Sequence, residues 1–282
     1  MDGLNLSKNK DYYEKLYANY GIKNILYWVE NHNEFLNSAI TTETSWFALY
    51  QNGFKKQLEK GPKVLELGCG NCINAAIMAR LGAEVYANDI ADSSGIIIDK
   101  INRSCNFKYP IKFVQGNFLH NELPSSSFDL VVGKAFLHHL DISTERDFIQ
   151  EAARLLKPKG EARFFEPAVN NKFVDLIRWY VPVPGRPSKF KKNAFRDWKN
   201  KDPHPDRDFS SGHFTEAGYQ FFNEVEIIPV GSIERLSRFM SWGKSREKFR
   251  AWALKMEKSL PKFLSYNLAR GQLVIYKNSK VI

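Results

Sequence analysis

Short apolar runs alternate with longer amphipathic stretches between residues 63 and 166. Each apolar run predicts a buried strand, and each amphipathic stretch predicts a helix that covers the sheet. The predicted strands are 64–67, 84–88, 111–115, 130–132 and 162–165, and the predicted helices between them are 73–81, 94–102 and 144–156. This alternation predicts a parallel sheet with helices on both faces.

Different patterns flank this segment. Residues 1–60 predict helices, because aromatic side chains recur there at helical spacing, as at Tyr13, Tyr17 and Tyr20. We expect most of these rings to pack on the core and some to line a lid over a ligand. The pattern after residue 166 predicts a helix over 171–180, a proline-containing basic loop to about 212, a helix over 215–222, a strand over 225–230, a helix over 245–260 and a final strand over 272–277.

A glycine turn follows the first strand, in the sequence Val-Leu-Glu-Leu-Gly-Cys-Gly at residues 64–70. Such a turn brings backbone N–H groups and a helix N-terminus close to a ligand. The second strand ends near Asp89, an acid placed to accept hydrogen bonds from ribose hydroxyls. A nicotinamide-binding fingerprint would require a third glycine where the chain has Ile73. The pattern therefore indicates a nucleoside cofactor and argues against a dehydrogenase.

Three cysteines are present, and two of them, Cys69 and Cys72, form a C-x-x-C inside this turn. A redox or metal site of this kind needs a thioredoxin-like context or a second pair, so we interpret both as small residues of the turn. We expect no disulfide framework, no metal site and a reducing, cytoplasmic location. The first residues do not resemble a secretory signal, and no apolar run approaches the roughly 18 residues of a membrane span.

The positive charge is concentrated in two stretches of this chain of 282 residues, whose net charge is +10. Residues 172–201 contain nine Lys and Arg against two acids, and residues 234–262 contain nine against three. Such an excess can attract an anionic small molecule, an anionic membrane surface or nucleic acid, or it can form a solvated face.

Five motifs follow one another along the central segment. They are Val64-Leu-Glu-Leu-Gly-Cys-Gly, Tyr86-Ala-Asn-Asp-Ile-Ala, Gln115-Gly-Asn-Phe, the stretch from Leu123-Pro-Ser to Phe136-Leu-His-His-Leu-Asp, and Leu155-Leu-Lys-Pro-Lys-Gly-Glu. In this order and spacing, the segment from Lys63 to Glu166 resembles the class I S-adenosylmethionine-dependent methyltransferases. The resemblance is strongest to the small-molecule branch that includes quinone and sterol methyltransferases.

The resemblance implies S-adenosylmethionine as cofactor and assigns eight residues to it. They are Gly68, Gly70, Glu66 and Lys134 for the methionine end, Asp89 for the ribose, and Ile90, Asn117 and Phe118 for the adenine. Two positions depart from the family pattern. Cys72 replaces the third glycine of the loop, and Asn117 replaces the usual acid of the adenine turn.

The resemblance also implies a doubly wound, Rossmann-like α/β fold with a mostly parallel, seven-stranded sheet. We expect an N-terminal helical cap over 1–60 and a basic insert or lid over 169–214. The core would comprise 61–168 and 215–282, with a helical insert at about 231–268.

As an enzyme of this class, the chain would transfer a methyl group to a small organic acceptor. Oxygen is the first candidate for the methylated atom and carbon is the second. A hydroxyl acceptor benefits from a base, and His138 follows the fourth strand at the edge where such sheets bind ligands. We expect His139 to pack locally. His204 and His213 are candidates for a lid, and Glu166 ends the fifth strand at the same edge.

Three alternatives remain open, and the oligomeric state is not predicted. A nucleic-acid methyltransferase would fit the charge, but the sequence after the fourth strand lacks the Asn/Asp-Pro-Pro-aromatic tetrapeptide of base-amine methyltransferases, so nucleic acid is not the expected partner. A lipid-linked or membrane-surface acceptor would fit the basic stretch at 242–263. A fold that binds cofactor without transferring a methyl group would fit the lack of an unambiguous base.

Overall fold

A computed structural model describes residues 3–42, 44–181, 186–201, 207–241 and 243–280. The strands are β1 (Lys63–Leu67), β2 (Glu84–Asp89), β3 (Lys112–Gln115), β4 (Phe128–Lys134), β5 (Leu156–Pro167), β6 (Phe222–Val230) and β7 (Gly271–Ser279). The helices within these ranges are α1 (Gly3–Tyr17), α2 (Lys23–Glu30), α3 (His32–Thr42), α4 (Thr44–Leu49), α5 (Phe54–Leu58), α6 (Ile73–Arg80), α7 (Asp92–Ser104), α8 (Ile142–Leu155), α9 (Lys172–Arg178), α10 (Lys192–Lys201), α11 (Ser211–Phe221), α12 (Lys244–Glu257) and α13 (Lys262–Leu268). Short 3-10 turns lie at Phe118–His120, Leu137–His139 and Glu234–Phe239.

The seven strands form one sheet in the order β3-β2-β1-β4-β5-β7-β6. Strands β1 to β5 are parallel to their neighbours, whereas β7 runs antiparallel to both β5 and β6. The predicted seven-stranded, mostly parallel sheet is therefore confirmed. The strand order reverses between β1 and β4, and ligands of open α/β sheets bind in the crevice at such a point.

Two apolar cores lie on opposite faces of the sheet, as the continuous apolar strands require. On one face, α2 packs against α6, and α4 packs against β5 and β7. On the other face, α11 packs against β6, β7 and α8. The N-terminal helices thus complete the covering of the first face. Within the described ranges, no helix combines the length and apolar character needed to cross a bilayer.

The basic insert differs from the predicted loop. It contains α10, whose Phe195 and Trp198 rings lie 5.6 and 6.1 Å from the ring of Trp179. This aromatic packing stabilises α10, a helix within the segment that was predicted to be a loop, whereas α9 agrees with the predicted helix over 171–180. Residues 182–185 are outside the described ranges. The single helix predicted over 245–260 is also followed by a second one, α13, which begins directly after Pro261.

Arg163 fastens the N-terminal helices to the sheet. Its guanidinium is buried in β5, where Nε donates to Glu161 Oε1 at 2.8 Å and Nη1 donates to the carbonyl oxygens of Leu49 and Gln51 at 3.0 and 2.8 Å. The same group lies 4.7 Å from the ring centroid of Phe54. One buried cation therefore joins the segment between α4 and α5 to the central sheet.

We predict that Arg163→Ala lowers the free energy of unfolding by roughly 3–5 kcal/mol, because buried Glu161 would keep only its longer contact with Lys277, at 3.8 Å, and the carbonyl oxygens of Leu49 and Gln51 would lose their donor. Urea titration followed by circular dichroism measures the change. Lys159 is exposed on the same strand, so Lys159→Ala serves as the matched control. This substitution should change the free energy of unfolding by no more than about 0.5 kcal/mol. Equal effects of the two substitutions would contradict this role of Arg163.

Candidate active site

A cavity of about 620 Å³ lies at the carboxyl edge of β1, β2 and β4. Its floor is formed by the turns that follow these strands and by the turn after β3. Its remaining walls come from helices of the N-terminal block. The cavity thus lies where the strand order reverses. The sequence pattern predicted a ligand-binding site at this edge of the sheet.

Two positions of the glycine turn after β1 have no room for a side chain, because neighbouring rings lie directly against the backbone. Gly68 and Gly70 both have positive φ angles, +65° and +53°. A Cβ at Gly68 would lie 2.4 Å from an atom of the Phe136 ring, and a Cβ at Gly70 would lie 2.7 Å from the Tyr17 hydroxyl. Cys72, at the third position of the loop, also has a positive φ angle of +62° and is buried.

Asp89 connects this turn to the end of β2. Its Oδ2 accepts a hydrogen bond from the N–H of Gly70 at 2.8 Å, and its Oδ1 accepts one from the N–H of Ala91 at 2.9 Å. Burial raises the pKa of Asp89, and these backbone hydrogen bonds oppose the rise. Because an ionised carboxylate offers about four acceptor positions, Asp89 keeps capacity for further donors. Ile90 lines the cavity beside it.

Glu66 presents an unsatisfied oxygen to the cavity. Its Oε1 accepts a hydrogen bond from Asn74 at 2.7 Å, and Asn74 in turn accepts one from the Tyr50 hydroxyl at 2.7 Å. Its Oε2 is buried and has no hydrogen-bond partner among the described residues. Burial raises the pKa of Glu66 to about 8, although Asn74 and the charge of Lys134 act in the opposite direction. The site therefore suits a ligand that brings a hydrogen-bond donor or a positive charge.

Lys134 forms the wall beside Glu66. Its Nζ lies 4.1 Å from the ring centroid of Trp46, in a cation–π arrangement. The ring of Trp46 contacts the ring of Phe35 edge to face at 5.4 Å, and the ring of Phe35 contacts that of Trp28 in the same way at 5.5 Å. This end of the cavity is consequently aromatic with one cation in its wall.

The opposite end is formed by the turn after β3. Asn117 Oδ1 accepts a hydrogen bond from the N–H of Leu119 at 3.1 Å and so begins the short 3-10 turn there. Phe118 is buried, with its ring 5.2 Å from that of Phe148, and both rings line the cavity. This apolar, flat end suits a planar ring.

Helix α1 covers the cavity with Tyr13, Tyr17 and the neighbouring Tyr20. The helix is anchored by Glu14, which accepts hydrogen bonds from the N–H groups of Asp92 and Ser93 at the start of α7. Burial raises the pKa of Tyr13 to about 12 and that of Tyr17 further. Some of the aromatic residues of the N-terminal block therefore line the cavity, and their role as a lid over a ligand stays a prediction.

The turn after β4 is held by the carboxylate of Glu166. This buried group accepts hydrogen bonds from the N–H groups of Phe136, Leu137 and His138 at 3.1, 2.8 and 3.2 Å. It also bonds the Nδ1 atom of His138 at 2.7 Å. Three backbone donors and one imidazole converge on one carboxylate, which fixes the orientation of the whole turn.

Arg207 holds the carbonyl side of the same turn. Its Nη1 donates to the carbonyl oxygens of Leu140 and Leu137 at 2.8 and 3.3 Å. Its other terminal nitrogen pairs with Glu145 at the start of α8, and Glu145 also bonds His213 Nε2 at 2.7 Å. The basic insert is thereby connected to the active-site turn through fully buried ionic groups.

This geometry changes the expected roles of the histidines. His138 points away from the cavity to Glu166, whereas His139 lines the cavity and contacts Tyr13 edge to face at 6.2 Å. The expectation that His138 faces the acceptor and His139 packs locally is thus reversed. His213 belongs to the Arg207 network and does not line the cavity, and His204 lies outside the described residues.

The cavity brings together all eight residues that the resemblance assigned to the cofactor: Glu66, Gly68, Gly70, Asp89, Ile90, Asn117, Phe118 and Lys134. Sequence reasoning missed the aromatic end at Trp28, Phe35 and Trp46, for which the only indication was the helical spacing of aromatic residues. The described cysteines are free thiols, and the Sγ atoms of Cys69 and Cys72 lie 3.7 Å apart. Within the described part of the chain, His, Cys, Asp and Glu form no group that could hold a metal ion.

The sheet order and the ligand-binding crevice define a Rossmann-like methyltransferase architecture. Residues 65–164, about a third of the chain, match the family model of the methyltransferase domain. An uncharacterised methyltransferase of Mycobacterium tuberculosis is 31% identical over 119 residues, which are 41% of this chain and 57% of that protein. A ubiquinone biosynthesis O-methyltransferase of Erwinia tasmaniensis is 28% identical over 162 residues, 56% of this chain and 60% of the relative. The chain thus spans little more than half the length of these relatives.

Solved structures share the fold across most of the chain. Phosphoethanolamine N-methyltransferase 2 of Haemonchus contortus, solved with S-adenosylmethionine, has a TM-score of 0.50 and 12% identity over 86% of this chain and 56% of its own. A methyltransferase of Archaeoglobus fulgidus has a TM-score of 0.50 and 17% identity. The match covers 86% of this chain and 99% of that protein. At these identities the likeness concerns the fold alone.

Residues 65–164 accordingly form a methyltransferase domain. The residues present fit S-adenosylmethionine, the cofactor that the sequence resemblance implies. The unsatisfied Oε2 of Glu66 matches its ammonium group, the spare acceptor positions of Asp89 match its ribose hydroxyls, and the aromatic surface at Phe118 matches its adenine ring.

We predict that Glu66 makes the protein less stable as the pH rises from about 4.5 to about 8. In this window the carboxyl group is protonated in the folded state and ionised in the unfolded state, so the unfolded state binds fewer protons. Linkage then lowers the free energy of unfolding by up to about 1.4 kcal/mol per pH unit. The isosteric Glu66→Gln removes this dependence. Urea titrations of both proteins across this pH window measure the difference, and parallel pH profiles would contradict the prediction.

Proposed function

We propose that the chain transfers a methyl group from S-adenosylmethionine to a small organic acceptor, with a hydroxyl oxygen as the preferred target. One observation carries this proposal. A single cavity contains the cofactor-matching groups at one side and an imidazole, that of His139, in its wall. Its volume of about 620 Å³ is in the range of small-molecule sites, and its walls are largely aromatic. The similarity to a ubiquinone biosynthesis O-methyltransferase supports a small acceptor.

Each cofactor-binding residue would have a distinct task. Asp89 would accept hydrogen bonds from the ribose hydroxyls, with Ile90 and Phe118 packing on the adenine and Asn117 meeting its polar edge. Gly68 and Gly70 would allow the backbone to approach the methionine moiety. Glu66 would accept a hydrogen bond from its ammonium group, and Lys134 would pair with its carboxylate. When bound, the cofactor supplies a methyl group on a positively charged sulfur, which leaves as a neutral thioether.

His139 would receive the proton of an acceptor hydroxyl. Imidazole is suited to this task near neutral pH. Glu166 and Arg207 hold the turn that carries His139 from both sides, so the ring is oriented before the acceptor arrives. The tyrosines of α1 would exclude water from the reacting atoms. In this proposal His138 is a positioning residue that completes the hydrogen bonding of Glu166.

We predict that Asp89→Asn weakens S-adenosylmethionine binding by about 1.5–3 kcal/mol, the increment of a hydrogen bond to a charged group. Isothermal titration measures the affinity. Asp129→Asn is the matched control, because Asp129 also accepts from a backbone N–H, that of Lys63 at 2.9 Å, but at the opposite edge of the sheet. The Asp129→Asn variant should bind S-adenosylmethionine with the affinity of the unmodified chain. An unchanged affinity of the Asp89 variant would show that the ribose lies elsewhere.

We predict that His139→Asn lowers kcat about 10²- to 10⁴-fold with unchanged cofactor affinity, as expected for loss of a general base. Transfer of a labelled methyl group to a panel of phenols and hydroquinones provides the assay. His138→Asn, the neighbouring control, should instead lower the thermal unfolding temperature because Glu166 loses a partner. If the His138 variant loses the methyl-transfer step while the His139 variant retains it, the roles are the reverse of those proposed.

A further inference from the structure

Helix α9 is apolar but is not buried. None of its residues is buried, and the exposed fractions of Phe173, Leu176 and Ile177 are 69%, 48% and 47%. A helix with this composition normally packs its apolar side on another element. Because it does not do so here, its apolar side chains are available to something outside the described chain.

Other exposed aromatic residues surround this helix. Phe190, 77% exposed, contacts Tyr180 at 5.0 Å just beyond the end of α9. Phe263, on α13, and Phe239 are exposed by 74% and 70%. We call the set Phe173, Leu176, Ile177, Phe190, Phe239 and Phe263 the apolar face.

Hydrogen bonds connect the elements that carry the apolar face. Asn170, just before α9, donates to the carbonyl oxygen of Tyr266 in α13 at 2.9 Å. Arg235, in the turn that contains Phe239, donates to the carbonyl oxygen of Leu268 at 2.8 Å. The start of α9, the end of α13 and the 234–239 turn are therefore neighbours, so these exposed residues are carried by adjacent elements.

A cluster of arginines lies beneath the same region. Its members are Arg178, Arg186, Arg235, Arg238 and Arg270. Two carboxylates are paired with it: Asp175 with Arg178 at 2.5 Å, and Glu234 with Arg270 at 2.7 Å. Glu234 is shared with a further arginine, Arg250, at 2.7 Å. The cluster consequently holds more guanidinium groups than carboxylates.

The electrostatics of the cluster agree with this excess. Burial, together with the charges of Arg270, Arg235 and Arg186, lowers the pKa of Arg238 to about 10, against the opposing effect of Glu234. Burial and the charges of Arg178 and Arg270 lower the pKa of Arg235 in the same way. Exposed lysines extend the positive charge around the apolar face at Lys172, Lys189, Lys191, Lys192 and Lys262.

We propose that the apolar face and its arginines and lysines dock the protein on an anionic phospholipid surface. Exposed aromatic and aliphatic side chains beside basic residues are the combination that binds at the boundary between headgroups and acyl chains. Basic residues near such a surface add electrostatic attraction to the anionic headgroups. Single-stranded nucleic acid fits less well, because leucine and isoleucine offer no ring on which a base could stack. This docking does not depend on methyl transfer.

Flotation of the full-length protein with vesicles tests the proposal, without cofactor or acceptor. Vesicles of phosphatidylcholine alone are compared with vesicles that also contain phosphatidylglycerol, at low and at high salt. We expect binding to the anionic vesicles that weakens with salt, since screening reduces attraction to the lipid charge. Equal binding to both vesicle types, or no binding to either, would overturn the proposal.

Two double variants separate the apolar from the ionic contribution. Phe173→Ser with Phe190→Ser, and Lys189→Glu with Lys192→Glu, should each weaken vesicle binding at least about tenfold. Their controls are Ile96→Ser, 56% exposed on α7, and Lys159→Glu at the opposite edge of the sheet, which should bind as the unmodified chain does. Unchanged thermal unfolding establishes that the variants are folded. Equal losses in variants and controls would contradict a defined docking face.

Two further experiments distinguish an anionic lipid surface from other anions. Inorganic phosphate should compete weakly with the vesicles, and RNA should not bind through Phe173 and Phe190. Complete competition by inorganic phosphate would indicate a site for free phosphate, and RNA binding that is lost in the phenylalanine variant would indicate a nucleic-acid surface. Either result would overturn docking on a lipid surface.

Discussion

The carboxylate of Asp89 joins the ends of two strands, and the geometry of the cavity depends on this connection. Asp89 accepts hydrogen bonds from the N–H groups of Gly70 and Ala91. It therefore fixes the distance between the glycine turn after β1 and the turn after β2. Gly68 and Gly70, which have positive φ angles, allow Phe136 and Tyr17 to lie directly against the backbone of the glycine turn. A cavity at the carboxyl edge of the sheet follows from the parallel strands, but its shape follows from this carboxylate.

The other half of the cavity relies on a second carboxylate, that of Glu166. It satisfies three backbone N–H groups of the turn after β4, while Arg207 satisfies carbonyl oxygens of the same turn. A turn fixed on both its donor and its acceptor side cannot reorient without leaving buried polar groups unpaired. This constraint directs His139 to the cavity and His138 away from it, to Glu166. Preorganisation of this kind is how a rigid fold orients reacting groups.

The alternating pattern of residues 63–166 predicted the strands and helices of the core well, because buried parallel strands are continuous apolar runs. The cofactor-binding residues, such as Asp89 and Glu66, were found through the resemblance, and they do meet in one cavity. The orientation of His138 and His139 could not be predicted. It depends on Glu166 and Arg207, which are 28 and about 70 residues away along the chain and carry no local motif. Helix α10 was missed for a similar reason, since the contacts of Phe195 and Trp198 with Trp179 outweigh the prolines between them.

A crystal structure of the complex with S-adenosylhomocysteine would locate the nucleoside relative to Asp89 and Glu66. We expect both ribose hydroxyls within hydrogen-bond distance of the Asp89 carboxylate and the ammonium group within hydrogen-bond distance of Glu66 Oε2. A nucleoside bound away from the glycine turn, or an ammonium group held by other residues while Glu66 Oε2 stays without a partner, would contradict this expectation.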